Sequence, residues 1–161
     1  MIRLAPISLN DQSTAIEVHR IRRAAYSQEA AILGVKSFPP LMESLTDLLS
    51  KSETFLGAYD CDTLVGCISL ETSITFQVTH IASLTVEPTH QRKGVGRALL
   101  LHAINSCPDH VFTVTTAELN LPAMSLYLSE GFSPISLASA KGVVLSLVSL
   151  ERHPHFALSA A

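Results

Sequence analysis

Residues 84–101 read LTVEPTHQRKGVGRALLL and contain the most specific pattern in the chain. An alternating run ends at Val86, a polar loop follows, and an apolar pattern with helical spacing begins at Gly94. Glycines at the start of a helix let successive backbone N–H groups point at one anion, which the helix N-terminus also favours. The loop is not a Walker A motif, because no Gly-Lys-Ser/Thr closes it, nor a dinucleotide fingerprint, because Leu99 takes the third glycine position. The stretch therefore predicts a strand, an anion-binding turn and a helix, with an ordinary solvated turn as the alternative.

The charge distribution singles out the same loop. The chain has 11 Lys and Arg against 14 Asp and Glu, a formal net charge of −3. Residues 88–107 contain Arg92, Lys93 and Arg97 and no acidic residue. The rest of the chain is therefore acidic, which argues against a protein that binds nucleic acid through its phosphates. A compact basic site beside glycines favours a single anionic group.

Length and composition predict one domain covering residues 1–161. The chain has 161 residues, of which 47% are apolar and 16% charged. It contains neither the roughly 18 consecutive apolar residues of a membrane-spanning helix nor a signal-peptide core, so we expect a cytoplasmic protein without membrane partners. Three cysteines without CxxC spacing predict neither a disulfide framework nor a metal site.

Periodicity outward from the glycine loop predicts alternating strands and helices. Strands are expected at 2–9, 54–59, 64–70, 76–86, 111–116 and 142–150, and helices at 10–26, 41–50, 94–107 and 120–130. In the strand at 76–86, alternation predicts one face formed by Phe76, Val78, His80, Ala82, Leu84 and Val86, with a bulged strand as the alternative. The fold class is α/β (α+β), a mixed sheet with helices on its faces.

Two segments of this chain resemble the GNAT acyltransferase superfamily. Leu84-Thr85-Val86-Glu87-Pro88 and the following QRKGVGRALL at 91–100 resemble its acetyl-coenzyme A signature, Gln/Arg-x-x-Gly-x-Gly/Ala. Asn120, Ala123, Leu126-Tyr127 and Gly131-Phe132 resemble its second motif. The resemblance covers roughly residues 2–150 and implies the GNAT fold, a mostly antiparallel sheet of six to seven strands flanked by about four helices.

The resemblance implies acetyl-CoA as co-substrate and no metal. In this family the end of the fourth strand pairs with the pantetheine arm, and the glycine loop holds the pyrophosphate. The residues that match cofactor-binding positions are Leu84, Thr85, Val86, Gln91, Arg92, Lys93, Gly94, Val95, Gly96, Arg97, Asn120, Ala123 and Tyr127. The alternative role of Asn120 is that of a helix N-cap, which is compatible with cofactor contact.

Two residues match catalytic positions. Tyr127 matches the tyrosine that protonates the departing thiolate, with a buried core tyrosine as the alternative. His80 lies on the fourth strand, where related transferases carry a Glu or His base, and its ordinary pKa of about 6.5 suits proton acceptance. The alternative is a histidine held within the sheet by a hydrogen bond. Glu71, on the preceding strand, is a second candidate that acts through water.

The function that the resemblance implies is acetyl transfer from acetyl-CoA to a primary amine of a small molecule, by direct attack in a ternary complex. Transfer onto a protein or peptide, a non-catalytic acyl-CoA-binding module of the same fold, and a nucleotide-binding protein of another class are the alternatives. The first helix is expected to form one wall of the acceptor site. Glu29 in this helix either attracts a cationic amine or lies at a solvated helix end. Tyr26, Phe38 and Pro39 either form an apolar slot for the acceptor or pack together as the hydrophobic contacts of a loop. Partners beyond the two substrates are not expected, and the protein is a monomer or a homodimer.

Overall fold

The computed structural model describes residues 1–139 and 145–155. These residues form seven strands and four α-helices. The strands are β1 Ile2–Ile7, β2 Thr54–Asp60, β3 Thr63–Ser73, β4 Val78–Val86, β5 Val111–Ala117, β6 Ser133–Ser139 and β7 Ser146–Arg152. The α-helices are α1 Gln12–Leu33, α2 Leu45–Leu49, α3 Val95–Ser106 and α4 Leu121–Ser129, with short 3₁₀ turns at Pro39–Met42 and Pro88–His90.

The strands form one mixed sheet in the order β1-β2-β3-β4-β5-β7-β6. Every neighbouring pair is antiparallel except β4 and β5, which run parallel and are connected through α3. This arrangement confirms the predicted fold class, and the seven strands and four α-helices agree with the numbers that the GNAT resemblance implied.

Helices cover both faces of the sheet. On β3, Cys67 packs with α1 and α2 in one buried cluster, whereas Ile68 packs with α3 and α4 in another. Because successive side chains of a strand point to opposite faces, α1 and α2 lie on one face and α3 and α4 on the other. The C-terminal half of α1 continues toward β5 and packs near Ala117.

Helix α1 is longer than the sequence pattern predicted. It begins after Asp11, whose side chain accepts a hydrogen bond from the Thr14 backbone N–H at 3.2 Å. It ends at Gly34, which takes a left-handed conformation with φ of +66°. The predicted end near Tyr26 was therefore wrong by about two turns, and the added turns carry Glu29.

Several other boundaries differ from the predictions. The single helix expected at 41–50 is a 3₁₀ turn followed by α2, because Ser44 and Asp47 form a capping box that begins a new helix. Strand β6 was not predicted. The strand expected at 142–150 is β7 at Ser146–Arg152, and positions 142–144 of that prediction lie outside the described residues.

The predicted alternation along the fourth strand was wrong. Ser69 of β3 pairs with Ser83, but the next residue, Leu70, pairs with Ile81, so Ala82 is an extra residue in a β-bulge. Ile81 and Leu84 are three positions apart, so strict alternation would place them on opposite faces of the sheet. Because of the bulge, both pack against the same core cluster. His80 and Leu84 therefore do not share one face.

No helix of the described residues is long and apolar enough to cross a membrane.

Candidate active site

Strands β4 and β5 separate at their C-terminal ends. They pair only from Val78 with Val111 to Ile81 with Val114, although β4 continues to Val86 and β5 to Ala117. Beyond this point β4 still pairs with β3, and β5 still pairs with β7. The β5-facing backbone groups of the last β4 residues therefore have no strand partner, and they can bind an extended ligand that carries amides.

The glycine loop lies at the same end of the sheet. Gln91 donates from its side-chain amide to the carbonyl of Val86 at 3.1 Å, which ties the loop to the end of β4. Arg92 and Gly94 both have left-handed backbone conformations, with φ of +61° and +82°. Helix α3 begins directly after Gly94, and no side chain in the described part of the protein caps its N-terminus. Its first N–H groups are thus available to an anion, as the sequence predicted.

A cavity of about 840 Å³ connects the strand opening to this loop. Twelve of the thirteen predicted cofactor-binding residues line it: Leu84, Thr85, Val86, Gln91, Arg92, Gly94, Val95, Gly96, Arg97, Asn120, Ala123 and Tyr127. Lys93 is exposed and does not line it. A Cβ on Gly96 would lie 3.7 Å from Val86 and 3.8 Å from Leu126, so Gly96 lies between the end of β4 and α4.

The basic side chains of the loop differ in their surroundings. Arg92 is exposed at the cavity. Arg97 forms an ion pair with Glu130 and donates to the Ser129 hydroxyl at 3.1 Å, so its guanidinium bridges α3 and α4. Arg92 is therefore the freer of the two cations to meet a bound phosphate.

Tyr127 lies deep in the cavity and is 4% exposed. Its ring packs edge-on against Phe132, with the two centroids 5.4 Å apart. Burial and the neighbouring Glu29 charge raise the pKa of Tyr127 above its ordinary value. The phenol therefore keeps its proton at neutral pH and can give it to a base formed in the cavity.

Helix α1 contributes a wall that the sequence analysis only partly identified. Ala25, Gln28, Glu29 and Ile32 line the cavity opposite α4. Asn120 caps α4 through Oδ1, which accepts from the Ala123 N–H at 3.3 Å, and donates through Nδ2 to Glu29 at 3.0 Å. The cap role considered for Asn120 is thus present, and its contact with the cofactor stays a prediction. Gly34 was the available signal that α1 runs far enough to reach this site.

His80 lies on the same sheet but does not line the cavity. Its Nδ1 is 2.8 Å from the Thr113 hydroxyl on β5, and its backbone is paired with that of Glu71 on β3. Glu71 is exposed and also lies outside the cavity lining. The catalytic roles of His80 and Glu71 stay predictions.

The loop at 38–40 packs away from the cavity. Phe38 is buried beside Tyr26, with ring centroids 6.2 Å apart, in a cluster that includes Ala117. Burial is the main reason that the pKa of Tyr26 is raised to about 12. Neither Phe38 nor Pro39 lines the cavity, so the apolar slot expected from these residues is not part of it.

Comparisons with known proteins place this chain in a family. Residues 16–132 match the model of the acetyltransferase (GNAT) family. The chain is 35% identical over 142 residues, 87% of its length, to the UPF0157 protein YqkA of Bacillus subtilis (strain 168). It spans 41% of the length of that relative.

Two solved structures share the fold. The ribosomal-protein-S18-alanine N-acetyltransferase from Escherichia coli has a TM-score of 0.76 at 16% identity, covering 100% of this chain and 99% of that one. The PaiA N-acetyltransferase from Thermoplasma acidophilum, in complex with coenzyme A, has a TM-score of 0.74 at 20% identity, covering 95% and 99%.

Proposed function

This chain belongs to the GNAT acetyltransferase family, a family of acyltransferases, and from that premise we propose that it transfers an acetyl group from acetyl-CoA to a primary amine of a small molecule. One observation carries the proposal. The unpaired end of β4, the glycine turn and Tyr127 line one continuous cavity. Together they offer the backbone edge, anion site and proton donor that an acyl-CoA thioester requires.

Acetyl-CoA supplies an activated thioester, and the residues of the chain bind and orient it. The outward-facing N–H and C=O groups of Leu84–Val86 suit the amides of the pantetheine arm. The N-terminal amides of α3 and the Arg92 guanidinium suit the pyrophosphate. Backbone donors fixed in the strand also stabilise negative charge on the thioester oxygen during attack, without reorganising.

Tyr127 completes the reaction by protonating the thiolate that leaves. Its phenol holds its proton at neutral pH and lies in the same cavity as the unpaired end of β4, so it is available as a general acid. Much of the remaining acceleration comes from holding amine and thioester in line, for which effective molarities of about 10⁵ M are possible.

The test is a thiol-release assay with acetyl-CoA and a panel of primary amines, polyamines and peptides. We expect CoA release that depends on a small amine and falls strongly in Tyr127→Phe. Release only with peptides would favour a protein substrate. Saturable acetyl-CoA binding in a calorimeter, with no release for any acceptor, would indicate a non-catalytic binding module instead.

A further inference from the structure

Glu29 is the acidic side chain among the residues that line the cavity. It lies on α1 opposite Tyr127, and its carboxylate accepts one hydrogen bond, from Asn120 Nδ2 at 3.0 Å. Within residues 1–139 and 145–155, no lysine, arginine or histidine forms an ion pair with it. A partly buried carboxylate with a single neutral donor is incompletely compensated, and a bound cation would compensate it.

Burial raises the pKa of Glu29, and the hydrogen bond from Asn120 only partly offsets this effect. Ionised Glu29 therefore lowers the stability of the ligand-free protein. A cationic ligand bound beside the carboxylate would restore that stability. The titratable groups that face Glu29 are Tyr26 on its own helix and Tyr127 on α4, and the Glu29 charge raises the pKa of both. Both phenols are neutral at pH 7, so neither neutralises the carboxylate.

The cavity is lined by charges of both signs that lie on different elements. Arg92 and the start of α3 give the loop end a positive potential, which suits phosphates. Glu29 gives the end between α1 and α4 a negative potential. An anionic co-substrate that enters by its phosphates is thereby oriented with its uncharged thioester toward the carboxylate, where a cation can approach.

The rim beside Glu29 is apolar. Ile32 follows Glu29 by one helical turn on α1 and is 52% exposed, and Leu121 at the start of α4 is 69% exposed. Both line the cavity. Exposed aliphatic side chains around a recessed charge favour a ligand with a charged group and an apolar body.

We propose that Glu29 binds the ammonium group of the acceptor and takes its proton, so that the acceptors of this enzyme are primary amines carried on an apolar chain. The inference rests on the proposed acetyl transfer. It assigns to Glu29 the proton acceptance that sequence reasoning predicted for His80.

The step balances with groups already present. The ammonium gives one proton to the Glu29 carboxylate, and the resulting amine attacks the thioester carbonyl carbon. The C–N bond forms and the C–S bond breaks, with the sulfur keeping the electron pair and taking a proton from Tyr127. The nitrogen of the new amide loses its second proton to solvent, and protonated Glu29 and ionised Tyr127 return to their starting states by proton exchange.

The binding test uses protein saturated with CoA, which cannot react, and two matched probes, n-hexylamine and 1-hexanol. We expect Glu29→Gln to weaken hexylamine binding at least tenfold and to leave hexanol binding unchanged. Glutamine keeps an oxygen that accepts from Asn120, so the site geometry survives. The matched control is Glu118→Gln, which removes an exposed charge outside the cavity and should change neither affinity. Equal weakening of both probes, or no weakening, would overturn the proposal.

The kinetic test compares the pH profiles of kcat/KM for hexylamine acetylation. Loss of a general base costs about 10²–10⁴-fold, so Glu29→Gln should lose that factor together with the acidic limb of its profile. Loss of this limb in His80→Gln, with the limb intact in Glu29→Gln, would contradict the proton transfer assigned to Glu29. The wild-type protein could instead bind hexylamine through Glu29 and acetylate no amine. That result would contradict the proposed function and the proton transfer, but it would support ammonium binding by Glu29.

Discussion

Replacing Arg22 tests how the fold holds α1 over the active site. The Arg22 side chain is 5% exposed and forms a paired contact with Glu43, Nε to Oε1 at 2.7 Å and Nη2 to Oε2 at 3.0 Å. Its Nη1 donates to the Ser83 hydroxyl at 2.5 Å, directly beside the bulge at Ala82. Arg22 therefore links α1, the segment before α2 and the strand that borders the cavity.

The stability lost in Arg22→Met depends on the charge of Glu43, which then lacks its main partner. Glu43 has a side chain that is 13% exposed and retains one cation, Lys51, at 3.3 Å. Breaking a buried ion pair lowers the free energy of unfolding by about 3–5 kcal/mol. Because Lys51 still compensates part of the Glu43 charge, we expect a loss near the lower value, about 3 kcal/mol. For a chain of this size that loss lowers Tm by about 6–12 °C.

Thermal and urea unfolding measure this cost, with Arg20→Met as the control. Arg20 lies on the same helix and is paired with Glu17 and Glu87, but its side chain is 47% exposed, so we expect a loss below about 1 kcal/mol. The double variant Arg22→Met with Glu43→Leu should recover most of the stability, because no charge then remains buried alone. A loss below 1 kcal/mol for Arg22→Met, or no recovery in the double variant, would refute the reasoning.

Three further substitutions test the site itself. Tyr127→Phe keeps the buried ring and should lower kcat about 10²–10⁴-fold while leaving acetyl-CoA affinity within twofold; an unchanged kcat in the thiol-release assay would exclude the tyrosine as proton donor. Gly94→Ala forces alanine into a φ of +82°, which costs about 1–2 kcal/mol of stability and should weaken CoA binding in calorimetry. Gly131→Ala, at a φ of +89° outside the cavity, should lower stability by a similar amount and leave CoA binding unchanged. Equal affinity losses in the two glycine variants would contradict this. Arg92→Ala should reduce CoA affinity more than Arg97→Ala and flatten its salt dependence, because Arg97 is already paired; the reverse order would contradict the assignment of Arg92 to the phosphates.

The sequence predicted the parts of this site that depend on local structure. The glycine turn, the start of α3 and the cap at Asn120 arise from residues a few positions apart, and their patterns identified them correctly. The family resemblance then connected the two motifs. Local signals of this kind also predicted the strands at 54–59 and 64–70 and the helix at 94–107, which correspond to β2, β3 and α3.

Features that depend on distant residues were missed. The position of the bulge at Ala82 is defined by the register of β4 against β3, which no pattern within β4 reveals. The contact between Glu29 and Asn120 joins residues 91 positions apart and requires α1 to extend to Gly34. Strand β6 is exposed throughout, so its sequence has no buried face to produce a periodic pattern.

A crystal structure of the protein in complex with acetyl-CoA tests the central claim most directly. The account predicts the pantetheine arm along Leu84–Val86 in the opening between β4 and β5, the pyrophosphate at the N-terminal amides of α3, and the sulfur at the Tyr127 hydroxyl. Acetyl-CoA bound elsewhere on the molecule, or a pyrophosphate that does not contact the glycine turn, would contradict the account.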